Sequence, residues 1–107
     1  MTSYDYDVTI MGHDYEDGEW ASDQVPIRVG FGEDLGYAAS SYDDAVAFVL
    51  GITEEQALEW ERMSGCNGLD IVIYKEEHVD GQYTGNFDVV GQYSWIGTTR
   101  TDDYKDD

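Results

Sequence analysis

Carboxylates are the only chemically active side chains that this sequence supplies in number. Asp5 and Asp7 alternate with Tyr4, Tyr6 and Val8. Asp14, Glu16 and Asp17 follow closely, Glu54, Glu55, Glu59 and Glu61 crowd a later segment, and Glu76-Glu77 comes after them. Such groups can hold calcium, transfer protons, or present charge to a cationic partner. The calcium reading fails on spacing. An EF-hand loop needs Asp at its first position and Gly at its sixth, and counting back from Gly18 puts His13 first. Solvated acids around a turn are the better account.

The other reactive residues are isolated. Cys66, His13 and His78 have none of the paired spacing of a zinc site. Cys66 sits in Ser64-Gly65-Cys66-Asn67-Gly68, a loop without a nucleophile signature. Gly30-Phe31-Gly32 lacks the third glycine of a phosphate loop, and Glu33-Asp34 behind it would repel phosphate. No acid pair stands out as a glycosidase couple. The expectation is a protein without metal, cofactor or catalytic centre.

Charge then becomes the main clue. The chain has 107 residues, 24 acids against five bases, and a net charge of −19. Removing Asp102, Asp103, Asp106, Asp107 and Lys105 still leaves −16, so the C-terminus is not the source of the acidity. Such a surface repels bare nucleic acid and anionic membrane, and no apolar run approaches membrane-spanning length. With 41% hydrophobic and 14% aromatic residues the chain has enough core material to fold. Its length fits one domain, residues 1–101, followed by a solvated acidic tail at 102–107. Asp103-Tyr104-Lys105-Asp106-Asp107 also reads like the start of a common epitope tag. A single cysteine excludes an intrachain disulfide and fits a reducing compartment. Met1 to Asp7 has neither the basic nor the apolar region of a secretory leader, so a cytoplasmic location is expected.

The elements that must position these acids follow from periodicity. Tyr4 to Met11 alternates as a half-buried strand, and Asp17-Gly18 reads as a turn. Val25, Ile27, Val29 and Phe31 alternate in a second strand, which Pro26 assigns to a sheet edge. The glycines at 30, 32 and 36 read as a loop. Ser41 caps a helix whose Ala45 to Leu50 run is apolar nearly all round, predicting burial, and Gly51 ends it. Thr53-Glu54-Glu55-Gln56 is a capping box opening a second helix to about Met63, with Ala57, Trp60 and Met63 inward and its acids outward. Leu69 to Tyr74, apolar on both faces, reads as a central strand. Asp80-Gly81 predicts a hairpin, with a return strand Phe87 to Ile96 kinked at Gly91. The predicted fold is α+β: an antiparallel four-stranded sheet in ββααββ order with a helical hairpin on one face.

Ala45 to Ala57, with its Leu50-Gly51-Ile52-Thr53 turn, resembles a helix-turn-helix. In a DNA reader the second helix enters the major groove. Here that helix offers Glu54, Glu55, Glu59 and Glu61 against a lone Arg62, so phosphate is repelled.

What remains is a partner that is itself basic. Carboxylates dense enough to imitate phosphates would occupy the groove of a nucleic-acid-binding protein, and nine tyrosines add flat, hydrogen-bonding interface surface. In size, charge and organisation the chain resembles the small acidic inhibitors of bacteriophages and mobile elements, some of which block restriction enzymes or CRISPR effector complexes by mimicking DNA. That resemblance implies a basic host nuclease or effector complex as partner, in the host cytoplasm. The expected contact residues are Asp5, Asp7, Asp14, Glu16, Asp17, Glu54, Glu55, Glu59, Glu76 and Glu77. The alternatives are an acidic interaction domain or nuclease-immunity protein without mimicry, and a salt-adapted cytosolic domain.

Overall fold

A computed structural model describes residues 1–29, 34–96 and 99–102, with only the backbone of Ser22 and of 99–102. The strands are β1 (Thr2–Glu16), β2 (Glu19–Pro26), β3 (Gly36–Ala39), β4 (Gly68–Val79), β5 (Gln82–Ile96) and β6 (Thr99–Asp102). The helices α1 (Tyr42–Leu50) and α2 (Glu54–Ser64) fall between β3 and β4. All pairings are antiparallel, in the order β2-β1-β4-β5-β6, and β3 shares with β2 the second edge of β1.

The expected four-stranded ββααββ sheet is therefore wrong. Strands dominate, and the sheet is curled and six-stranded. Two strands escaped the periodicity argument because they are short. β3 has four residues beginning at Gly36, inside what reads as a glycine loop. β6 is the Thr-rich segment before the acidic end, pairing Thr101 with Ser94 and Asp102 with Tyr93. The rest of the expected tail, 103–107, lies outside the described residues. The second strand runs Glu19–Pro26 rather than through Phe31, which is also outside them, and β2 does take an edge of the sheet.

Local chemistry explains the turns and caps. Asp17-Gly18 and Asp80-Gly81 join β1 to β2 and β4 to β5. All four residues have positive φ, between 51° and 84°, as a type I′ hairpin turn requires. The Ser41 hydroxyl accepts from Asp44 N, and Thr53 and Gln56 form the reciprocal capping box.

One face of the sheet, here the inner face, carries Val8 and Ile10 of β1, Leu69, Ile71 and Ile73 of β4, and Tyr93 and Trp95 of β5. Ala45 and Val49 of α1, Ile52, and Ala57 of α2 close this core. Because α1 lies on one face only, it buries just Ala45 and Val49, and Leu50 is 52% exposed, contrary to the expectation of burial all round. α2 turns Ala57 and Glu61 inward and leaves Met63 exposed. The expected inward Met63 and outward Glu61 thus exchange places. Where α2 ends it lies so close to β1 that a Cβ on Gly12 would fall 2.4 Å from the Ser64 Cβ.

Candidate acidic interface

The helices cover only part of the inner face. Beyond them β1, β4 and β5 continue as a three-stranded extension built from the start of β1, the end of β4 and the start of β5, with residues 82–89 exposed. Side chains directly opposite in an antiparallel ladder share a face. Asp5 is opposite Glu76 and Asp7 opposite Tyr74. Glu76 is opposite Phe87, Tyr74 opposite Val89, and His78 opposite Tyr83. These residues form one outward surface. Asp7, Thr9, Tyr74, Glu76, Tyr83 and Phe87 line a shallow depression within it. Phe87 is 56% exposed and packs edge-on against Tyr74, with ring centroids 5.7 Å apart.

The electrostatics of this patch are nearly one-signed. His78 Nε2 lies 3.0 Å from Asp5 Oδ2. The described lysine and arginine side chains are engaged elsewhere: Arg28 lies 3.8 Å from Asp34, Arg62 pairs with Glu59, and Lys75 sits on the opposite face over the Tyr4 ring. Partial burial pushes the Asp7 carboxyl above the ordinary aspartate range, neighbouring Asp5 adds to the rise, and His78 opposes it. A group in this state gains from a cation brought to the face.

The structure brings together only some of the expected contact residues. Asp5, Asp7 and Glu76 converge. Glu77 is adjacent in sequence but points to the inner side, where it accepts from Thr84 Oγ1 at 3.0 Å and Asn86 Nδ2 at 3.2 Å. The expected Glu76/Glu77 cluster is thus split across the sheet, as the period of two dictates. Asp14 accepts from Asn67 N at 3.1 Å, which ties β1 to the loop before β4, while Glu16 and Asp17 are exposed at the hairpin. Glu54 and Glu55 occupy the exposed first turn of α2, and Glu59 is held by Arg62. Tyr74, His78, Tyr83, Phe87 and Val89 were missed as partners of the acids. Their signal was present: period-two alternation running outward on both sides of Asp80-Gly81.

Among the described residues no group of three or more His, Cys, Asp or Glu could hold a metal ion, and no helix is long and apolar enough to cross a membrane. The chain matches no protein family, no curated protein and no solved structure.

Proposed function

We propose that this protein is an inhibitor that binds the basic nucleic-acid-binding surface of a partner, a host defence nuclease or CRISPR effector complex, and blocks access of DNA or RNA. The observation behind this reading is the outer sheet face, where Asp5, Asp7 and Glu76 stand among Tyr74, Tyr83 and Phe87, with the described lysines and arginines directed elsewhere. Strands spaced about 4.8 Å apart, with same-face residues about 6.6 Å apart along each, hold these three carboxylates close together on one surface, the kind of crowding that phosphate mimicry uses. The rings between them supply the flat, desolvatable contact that anchors interfaces. In this reading the protein acts in the partner's compartment, the cytoplasm, and touches no nucleic acid itself.

The test is capture from a bacterial lysate at low salt, followed by challenge with duplex DNA and with high salt. A basic nucleic-acid enzyme that is retained and then released by either challenge is the expected result. Retention unchanged by excess DNA and by salt would overturn mimicry. Exposed Phe87 and Val89 favour a second reading, a shape-specific interface of the nuclease-immunity kind, in which apolar contacts dominate and charge serves solubility.

A further inference from the structure

The β1–β4 ladder ends where Gly12 stands opposite Leu69. Beyond it a side chain continues the bonding. Asn67 Oδ1 accepts from Tyr15 N at 2.6 Å, and Asn67 Nδ2 donates to Tyr15 O at 2.9 Å. The Asn67 backbone N–H donates to Asp14 Oδ1 at 3.1 Å. One carboxamide thus serves both backbone groups of Tyr15 and latches the loop after α2 to β1. A carboxylate in its place would have no donor for Tyr15 O. The residue after Asn67 is fixed as glycine by packing. A Cβ on Gly68 would fall 2.9 Å from His13 O and 3.0 Å from Trp95 O, backbone atoms that cannot swing aside. The fold therefore requires Asn-Gly at this point. The chain has two asparagines; Asn86 precedes the bulky Phe87, and Asn67 alone precedes glycine. Asparagine is a thermolabile residue. A glycine successor leaves its own backbone nitrogen unshielded, so that this nitrogen can close on the asparagine Cγ. Asn67 is exposed, and water reaches its carboxamide, whereas Gly68 is buried at the start of β4.

We infer that Asn67 is a site of spontaneous deamidation, gated by its latch to Tyr15. In the reaction Gly68 N gives its proton to hydroxide and bonds to Asn67 Cγ. The bond from Cγ to the carboxamide nitrogen breaks, and that nitrogen takes a proton from water and leaves as ammonia. Water then opens the cyclic imide to aspartate or isoaspartate, so that one water is consumed for each ammonia released. While the latch is closed, the side chain cannot turn onto Gly68 N without breaking both bonds to Tyr15. Opening of the loop breaks them and permits the reaction, so the modified fraction follows the open fraction. The product cannot restore the latch. Aspartate has no donor for Tyr15 O and brings a second carboxylate beside Asp14. Isoaspartate lengthens the backbone at the entry to β4. The site is therefore a one-way switch from a tied loop to a loosened one, and each event adds one negative charge.

The whole protein is incubated in mildly alkaline buffer, with and without guanidinium chloride. Peptide mapping that separates aspartate from isoaspartate follows Asn67 and Asn86. Asn67 should convert about tenfold faster or more in denaturant than in the native state, where only the open fraction reacts. Asn86 should convert more slowly than Asn67 in denaturant. Asp14→Ala removes the backbone part of the tie and should speed native conversion of Asn67 by about threefold, with circular dichroism checking the fold. Asn67→Asp makes one product directly. It should have a lower denaturation midpoint than the parent and faster amide exchange from Gly65 to Gly68. Equal rates at Asn67 in the two conditions would overturn the gate. Absence of aspartate and isoaspartate at Asn67 in denaturant would overturn the site itself. Unchanged midpoint and exchange in Asn67→Asp would show that the modification leaves the loop tied, and would overturn the switch.

Discussion

Asp5 and Glu76 stand directly opposite each other on the outer face of the β1–β4 ladder, two like charges with Asp7 one step along the strand. Like charges so placed destabilise a sheet by roughly 0.2–1 kcal/mol. His78, 3.0 Å from Asp5, offsets part of this when protonated. Glu76→Gln removes the repulsion without touching that contact. Its melting temperature should therefore rise above that of the parent at neutral pH and low salt, and the gain should shrink as salt screens the pair. A fall on substitution would mean that Glu76 supports the sheet rather than straining it.

Asp7 gives the same tension a pH signature. Its carboxyl is raised by burial first and by Asp5 second, against the pull of His78. An acid with a raised folded-state pKa penalises folding while it is ionised. The penalty is present above the folded-state value and is relieved by proton uptake as pH falls towards the unfolded value. Asp7→Asn should thus be more stable than the parent at pH 7, and the two should converge as pH drops through the carboxylate range. Denaturant titrations at several pH values measure this, and a gap that widens on acidification would refute it.

The contact between Gly12 and Ser64 predicts a packing effect far from the acids. A methyl at Gly12 would overlap the Ser64 side chain, whose Oγ is already committed to Glu61 O at 2.8 Å. Gly12→Ala must lift the end of α2, at a cost of about 1–3 kcal/mol. A denaturation midpoint within error of the parent would show that α2 can shift at no cost.

How much was legible follows from the range of each interaction. Ser41, Thr53, Asp17-Gly18 and Asp80-Gly81 act within a turn, and each does what its type predicts. The central place of β4 was readable because Leu69 to Ile73 is apolar on both faces. Glu61 was not readable. Of the expected inward stripe Ala57, Trp60 and Met63, the first two do pack toward the core, but the stripe continues through Glu61 and Ser64 rather than Met63 because α2 sits tightly against Gly12. β3 and the outer start of β5 were missed for a related reason. Their side chains are mostly exposed, so the alternation of Tyr83, Phe87 and Val89 marks no core face, and pairing with β1 and β4 defines both strands. The candidate site depended on that missing part. Asp5, Asp7 and Glu76 were named, but their aromatic neighbours come from long-range register.

Charge reversal at separate places decides whether position or bulk acidity carries the proposed function. Asp5→Lys with Glu76→Lys alters the outer face. Glu54→Lys with Glu55→Lys alters the first turn of α2 and changes the net charge by the same amount. Long-range steering responds to both pairs alike, because it follows the overall field. Close contact does not: a reversed charge buried against a basic groove costs several kcal/mol, whereas a rim charge mainly slows association. For a partner displaced by DNA, the outer-face pair should therefore weaken binding by roughly tenfold or more beyond the α2 pair. Glu77→Lys, next in sequence to Glu76 but on the inner side, changes the charge by half as much and should lose no more than the α2 pair. Losses that follow the charge change alone, whatever the position, would reduce the protein to a diffuse polyanion. No loss from any of them, with binding abolished by Phe87→Ser, would leave an apolar interface on the same strands and remove the case for mimicry.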